Sequence, residues 1–155
     1  MAQGISQRNM TPPSKQFQTH SSEETTDLGR QLAAELKPGS VVLLRGDLGA
    51  GKTTLVKGIA EGFSAAEAEA VTSPTFTLIH EYSGPEVTLY HIDLYRIDTQ
   101  RELDTLALDD LMEPNTILLI EWGEKFERFA KERDFEIAIE HHGADERQIA
   151  FLRKT

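Results

Sequence analysis

Cysteine is absent from this sequence of 155 residues. Its absence excludes disulfide bonds, thiolate zinc sites and a cysteine nucleophile, and it suits a reducing compartment. No apolar run approaches the roughly 20 residues that a membrane-spanning helix needs. Residues 1–16 also have no apolar segment typical of a secretion signal. We therefore expect a cytoplasmic protein that does not interact with membranes.

Basic residues are scarce, since 16 lysines and arginines face 26 acidic residues and the net charge is −10. Residues 1–20 sum to +2, from Arg8 and Lys15, whereas residues 21–100 and residues 101–155 each sum to −6. No broad basic stripe is present that would neutralise the phosphates of a nucleic acid. We therefore expect no direct, tight binding of RNA or DNA by this chain alone, and the acidity favours solubility.

The chain divides into a short tail and one domain. Residues 1–18 are rich in Gln, Ser and Pro and predict a flexible N-terminal tail, and residues 19–155 are long enough for one domain. Apolar runs at residues 41–44 and 117–120 are typical of buried parallel strands. Helices and strands alternate along most of the chain. This order predicts an α/β fold with helices on both faces of a mixed sheet, which has a parallel centre and antiparallel edges.

Local signals give the elements of this domain. Ser21 and Glu24 match a capping box at the start of a helix with Leu28, Leu32 and Leu36 on one face. Two strands, residues 75–82 and 86–92, are expected to form a hairpin. Helices are expected over residues 103–111 and 124–132, and strands near residues 135–139 and 149–151 close the domain.

A glycine-rich loop follows the first buried strand and precedes a helix. It matches G-x-x-x-x-G-K-[ST] at every fixed position, with Gly46, Asp47, Leu48, Gly49, Ala50, Gly51, Lys52 and Thr53. Such a loop turns successive backbone N–H groups toward phosphate oxygens. The lysine is expected to reach the β- and γ-phosphates of a nucleotide, and the threonine hydroxyl to bind Mg²⁺. The fold is therefore predicted to be a single P-loop NTPase domain.

Two carboxylates end apolar strands, Asp93 after residues 89–92 and Glu121 after residues 117–120. Ligands of open α/β sheets lie outside the carboxyl ends of the strands, so both acids are expected at the phosphate site. The alternative is that each meets only water or a helix N-terminus. The segment Thr72-Ser73-Pro74-Thr75 is either a hydroxyl-rich sensor of the γ-phosphate or an ordinary turn before a strand. His91 is interpreted as a packed core histidine.

Four segments in this order resemble the bacterial TsaE (YjeE) family. They are residues 46–54, Ser73-Pro74-Thr75-Phe76, His91-Ile92-Asp93-Leu94-Tyr95-Arg96 and Ile120-Glu121-Trp122. The resemblance covers roughly residues 19–142 and implies a P-loop ATPase of the tRNA threonylcarbamoyladenosine pathway. It implies ATP and Mg²⁺ as cofactors. It also implies two partners, a threonylcarbamoyl transferase (TsaD-type) and its inactive paralogue (TsaB-type), through which tRNA is contacted only indirectly.

The resemblance also assigns roles to residues. It implies catalytic roles for Lys52, Asp93 and Glu121 and a magnesium site formed by Thr53, Asp93 and Glu121. Nucleotide contacts are implied for the loop residues above and for Thr54, Ser22, Thr25 and Thr75. Hydrolysis by such a protein resets the modifying complex between turnovers, and the division of labour between Asp93 and Glu121 stays open.

Two other functions use the same loop. A small-molecule kinase needs an acceptor pocket and usually a basic lid, but residues 53–95 contain only Lys57 as a lysine or arginine. A nucleotide-gated binding module would change shape without useful turnover. Replacing Glu121 with Gln discriminates between that module and an ATPase.

Overall fold

A seven-stranded sheet forms the centre of the computed structural model, which describes residues 14–47, 50–75 and 77–154. Across the sheet the strands lie in the order β1-β7-β6-β2-β5-β4-β3. In chain order they are β1 (Ser14–Thr19), β2 (Val41–Arg45), β3 (Ile79–Ser83), β4 (Thr88–Asp93), β5 (Thr116–Glu121), β6 (Phe135–His142) and β7 (Glu146–Arg153).

The four central strands run parallel and the outer strands run antiparallel. β2 pairs in parallel with both β5 and β6, and β4 pairs in parallel with β5. β3, β7 and β1 add to this core in antiparallel fashion. All six residues of β5 are buried, as expected for a parallel strand that is covered on both faces. The predicted mixed sheet is confirmed.

Helices cover both faces of the sheet, also as predicted. The α-helices are α1 (Ser22–Ala33), α2 (Lys52–Gly62), α3 (Gln100–Thr105) and α4 (Glu127–Glu132), and short 3₁₀ turns lie at Ala68–Ala70, Leu108–Leu111 and Gly123–Lys125. α1 and α2 share one apolar core with Val42, Leu44 and Leu119. α3 and α4 share the other with Leu43 and Ile120. Within the described part of the chain no helix is long and apolar enough to cross a membrane.

Two glycines let α1 and α2 approach closely. A Cβ atom at Gly58 would lie 1.9 Å from the Thr26 carbonyl oxygen and 2.9 Å from the Gly29 Cα. A Cβ atom at Gly29 would lie 2.4 Å from the Leu55 carbonyl oxygen. All three distances are shorter than real Cβ contacts, so a side chain at either glycine would force the two helices apart. This packing sets the start of α1 beside the start of α2.

The N-terminal tail is shorter than predicted. Ser14–Thr19 form β1, which pairs with β7 from Ser14↔Leu152 to Thr19↔Arg147. The prediction of a tail is therefore wrong for residues 14–18, and residues 1–13 lie outside the described residues. The sequence analysis did not predict this strand because its side chains are mostly polar, and Gln16 and Gln18 are exposed. Backbone hydrogen bonds to β7 hold the strand in place.

Three predicted element boundaries also differ. β3 begins at Ile79, so Thr75 lies in a turn before the strand. The helix expected over residues 103–111 is broken at Ala107, which has a φ of 50°. This break leaves both Leu103 and Leu108 buried in the same core. The helix expected over residues 124–132 begins as a 3₁₀ turn and is interrupted by Phe126, whose backbone is extended.

Candidate nucleotide site

The carboxyl ends of β2, β4 and β5 converge at one edge of the sheet. Leu44 in β2 lies opposite Glu121 in β5, and Glu121 lies opposite Asp93 in β4. The loop that starts at Gly46 leaves β2 at the same edge. Parallel pairing therefore brings together the two acids and the glycine-rich loop, which are far apart in the sequence.

The loop backbone depends on its first and last glycines. A Cβ atom at Gly46 would lie 2.6 Å from the Ile139 carbonyl oxygen of β6. Gly51 caps α2 with a φ of 109°, a left-handed conformation that favours glycine. Leu48 and Gly49, which the sequence also assigns to this loop, lie outside the described residues. Asp47 is exposed and Ala50 is buried, and the Ala50 N–H donates to the Asp47 carbonyl.

Lys52 is buried at the start of α2, with 6% of its surface exposed. Its Nζ donates to the Gly46 carbonyl oxygen at 2.5 Å and lies 3.3 Å from Glu121 Oε1. The same ammonium group lies 5.2 Å from the centre of the Trp122 ring, within the range of a cation–π contact. A buried cation is thus held at the loop by one carbonyl, one carboxylate and one aromatic face.

Glu121 has two different neighbours for its two oxygens. Oε1 faces Lys52, and Oε2 lies 2.5 Å from His91 Nε2. Burial alone would raise the pKa of Glu121, but the hydrogen bond with His91 and the charge of Lys52 act in the opposite direction, and the pKa is lowered. The carboxyl group therefore stays ionised although only 4% of the residue is exposed.

Asp93 is connected to the hydroxyl-rich segment. Its Oδ1 accepts from the Tyr95 N–H at 2.9 Å, and its Oδ2 accepts from Thr75 Oγ1 at 3.3 Å. Thr75 Oγ1 is also 2.7 Å from Ser73 Oγ. Glu121 therefore faces the phosphate loop, whereas Asp93 faces residues 73–75. Thr53, in the first turn of α2, is half-buried.

Only a few of the described side chains at this edge of the sheet could bind a metal ion, and all of them would do so through oxygen atoms. Among residues 14–47, 50–75 and 77–154 no group of three or more His, Asp or Glu side chains could hold a metal ion. The edge of the sheet instead offers the two carboxylates of Asp93 and Glu121, with the Thr53 hydroxyl on α2. Mg²⁺ in phosphate sites commonly takes one or two carboxylates and completes its shell with phosphate oxygens and water.

A cavity of about 80 Å³ lies beside Gly51. It brings together Ser22, Thr25 and Thr54, for which the family resemblance implies nucleotide contacts. Its remaining lining residues are Ser21, Asp145 and Arg147. Thr25 is buried, and its hydroxyl lies 2.7 Å from that of Thr19. The close packing of α1 on α2 is what places these hydroxyls next to the loop.

Sequence reasoning missed Arg147 and the contact of His91 with Glu121. The Arg147 Nε would lie 3.3 Å from a Cβ atom at Gly51, yet no local motif marks this residue of β7. Only the pairing of β7 with β6, and of β6 with β2, brings it there. His91 did carry a signal, because it lies two residues before Asp93 and therefore faces the same side of β4.

An aromatic pair lies next to the carboxylates. Trp122 has a left-handed backbone, with a φ of 65°, and its ring centre is 5.2 Å from that of Tyr95. Tyr95 is 46% exposed. Lys125 Nζ supports this turn by donating to the Leu94 and Tyr95 carbonyl oxygens at 3.0 Å each. Because Trp122 directly follows Glu121 in the chain, the aromatic pair extends from this buried carboxylate to the exposed ring of Tyr95.

Comparisons with known proteins agree on one family. A family model described as threonylcarbamoyl adenosine biosynthesis protein TsaE matches residues 19–149. A Bacillus subtilis protein named tRNA threonylcarbamoyladenosine biosynthesis protein TsaE is 42% identical over 135 residues, which are 87% of this chain and 83% of that protein. A Nostoc protein of the same name is 49% identical over 66% of this chain and 64% of its own length. The crystal structure of YdiB from Bacillus subtilis has a TM-score of 0.70 at 36% identity and covers 91% of this chain and 86% of YdiB.

Proposed function

The chain belongs to the TsaE family, and from this premise we propose that it is the subunit that binds and hydrolyses ATP during threonylcarbamoyl modification of tRNA. Its relatives are named for tRNA threonylcarbamoyladenosine biosynthesis, and this chain has that role. The modified base is the adenosine next to the anticodon in tRNAs that read codons beginning with A. The protein acts in the cytoplasm beside a TsaD-type transferase and its TsaB-type paralogue.

The observation that carries this proposal is the position of Lys52. Its ammonium is buried at the start of an eleven-residue helix, between the Gly46 carbonyl and Glu121. The helix N-terminus and the glycine-rich backbone are an attractive environment for a phosphate group. The β- and γ-phosphate oxygens of ATP then replace the Gly46 carbonyl as the partners of this ammonium.

Mg²⁺ fits the oxygen donors at this edge of the sheet. Thr53, Asp93 and Glu121 would hold the ion directly or through its waters, as the hard oxygen chemistry of these side chains allows. When bound, Mg²⁺ supplies positive charge that offsets the charge of the phosphates. Two carboxylates suffice, because the phosphates and water provide the remaining ligands.

The two carboxylates divide the work according to their contacts. Glu121 faces Lys52 and orients the water that attacks the γ-phosphorus, whereupon the bond to the ADP oxygen breaks and phosphate leaves. Asp93 accepts a hydrogen bond from Thr75 and, with Mg²⁺ bound, would connect the ion to residues 73–75, whose hydroxyls sense whether the γ-phosphate is present. Ser22, Thr25, Thr54 and Arg147 contact the nucleoside side of ATP from the cavity beside Gly51.

The charge of the chain supports indirect contact with tRNA. A net charge of −10 opposes binding to a phosphate backbone, so the partner proteins provide the tRNA surface. ATP hydrolysis then acts on the complex, and this chain itself transfers no threonylcarbamoyl group.

Phosphate release from ATP tests the proposal. The purified chain is assayed alone and with the transferase and its paralogue, as wild type, Lys52→Ala and Glu121→Gln. We expect the partners to stimulate hydrolysis by the wild type. Lys52→Ala should lose about tenfold or more in ATP affinity or turnover, which is equivalent to about 1.4 kcal/mol. Glu121→Gln should bind ATP but show no stimulated hydrolysis. Lys57→Ala, on the same helix and half-buried, is the matched control and should behave as wild type.

Other outcomes point to other functions. Transfer of the γ-phosphate to a small-molecule alcohol or nucleotide would replace the ATPase with a kinase. ATP binding without hydrolysis, even in the presence of both partners, would leave a nucleotide-gated module. Unchanged ATP binding and turnover in Lys52→Ala would refute the assignment of the phosphate loop.

A further inference from the structure

His91 is a polar ring buried in an apolar layer. It lies in the middle of β4, is fully buried, and pairs with Leu119 of β5. Because strand residues alternate between faces, His91 shares a face with Asp93 and Glu121. This is the face that α1 and α2 cover. A buried imidazole in such a place needs a polar partner.

The partner of His91 is the carboxylate of Glu121, at 2.5 Å between Nε2 and Oε2. The other ring nitrogen, Nδ1, is buried and has no hydrogen-bond partner among the described residues. A proton on Nδ1 would be a buried donor without an acceptor, which costs more than an unused lone pair. The ring therefore carries a proton on Nε2 and donates it to Glu121.

His91 and Lys52 hold Glu121 in different ways. The imidazole is fixed by its central strand, whereas the ammonium is carried by four flexible methylenes. When the Lys52 ammonium turns to a phosphate group, its contact of 3.3 Å with Oε1 weakens, and the bond from His91 to Oε2 remains. A buried carboxylate needs such a fixed donor to stay charged and oriented.

We propose that His91 is a positioning residue for Glu121, holding Oε2 from the sheet so that Oε1 faces the phosphate loop. The role rests on the proposed ATP hydrolysis, because it is through Glu121 that His91 acts on the reaction. His91 lines neither the cavity beside Gly51 nor the loop itself. Its removal therefore lowers kcat, whereas the KM for ATP changes little.

Three variants and one control test this role. His91→Leu removes the donor at similar size, His91→Gln retains an N–H group near the position of Nε2, and His91→Asn carries an amide that is too short to reach Glu121. Leu89→Val, on the same strand and face and fully buried, is the matched packing control. Each variant is first shown to be folded by circular dichroism, and if His91→Leu does not fold, His91→Asn takes its place.

Turnover with both partners and the tautomer of His91 are the two measurements. We expect His91→Leu to lose about tenfold or more in kcat, with KM changed by less than about twofold. His91→Gln should recover most of the loss, and Leu89→Val should match wild type. In the ligand-free wild-type chain, ¹⁵N NMR should show a proton on Nε2, the nitrogen that faces Glu121.

Four results would overturn the proposal. They are an unchanged kcat in a folded His91→Leu or His91→Asn chain, an equal loss in Leu89→Val, no recovery in His91→Gln, or the absence of a proton on Nε2 in the wild type. If the wild-type chain does not hydrolyse ATP with its partners, the proposed function fails and the positioning role fails with it. The NMR result separates the cases, since it reports the bond from His91 to Glu121 whether or not ATP is hydrolysed.

Discussion

Replacing Gly58 with alanine sets helix propensity against packing. In an isolated helix the change would stabilise α2, because alanine is favoured over glycine by about 1 kcal/mol. In this protein the new Cβ would lie 1.9 Å from the Thr26 carbonyl oxygen and 2.9 Å from the Gly29 Cα. Both neighbours are backbone atoms of α1, so no side chain can rotate away and the two helices must separate.

The packing cost is expected to exceed the propensity gain. Overpacking a core typically costs about 1–3 kcal/mol, and a clash with backbone belongs at the upper end of that range. Subtracting a gain of about 1 kcal/mol leaves a net loss of about 2 kcal/mol in the free energy of unfolding. In a domain of this size, such a loss lowers Tm by about 4–8 °C.

Thermal unfolding of the ligand-free chain, followed by circular dichroism, measures the effect. Lys57→Ala, the neighbouring position on α2, is the control and should change Tm by less than about 2 °C. A Gly58→Ala chain with the same or a higher Tm than wild type would refute the reasoning, since propensity would then outweigh the contact between the helices.

Three further predictions concern the site and one helix cap. Asp93→Asn should weaken the dependence of hydrolysis on Mg²⁺ concentration, and an unaltered titration would remove Asp93 from the ion site. Arg147→Gln should weaken ATP binding about threefold or more in equilibrium titrations, because it removes a cation beside Gly51; equal affinity would contradict this. The backbone N–H groups of Asp98 and Thr99 donate to the Glu102 carboxylate and lower its pKa from 4.5. The ionised carboxylate therefore stabilises the folded chain above pH 4.5, and this stabilisation is lost as the pH falls through the lowered pKa. Glu102→Ala should therefore unfold at a lower temperature than wild type at pH 7, and this difference should shrink as the pH is lowered below 4.5; a difference that does not change with pH would refute it.

Some local predictions succeeded because their causes lie within a few residues. The Ser21 hydroxyl accepts the Glu24 N–H and caps α1, as the spacing of these two residues predicts. The Glu24 carboxylate accepts from the His20 N–H, one residue before the cap. A full reciprocal capping box, which the sequence analysis did not single out, joins Thr99 and Glu102. Short-range hydrogen bonds of this kind depend on spacing, and spacing is visible in the sequence.

Other features were beyond local reasoning because distant pairing creates them. β1 is polar apart from Phe17, which packs against the core, and it becomes a strand by pairing with β7, about 130 residues later in the chain. Alanine is not a residue type that favours a left-handed backbone, so the sequence does not predict the helix break at Ala107. The break allows Leu103 and Leu108 to be buried in one core.

The amino-acid sequence was sufficient for the order of the elements from α1 onward, and for the positions of the glycine-rich loop and of the two acids at the ends of their strands. Each of these is a matter of residue type and spacing along a few turns or one strand. Which oxygen of Glu121 faces Lys52 and which faces His91 depends on the parallel register of β4, β5 and β2. The place of Arg147 beside Gly51 depends on the pairing of β7 with β6. Such contacts join residues that are 30 to 96 positions apart, and only the assembled sheet determines their distances.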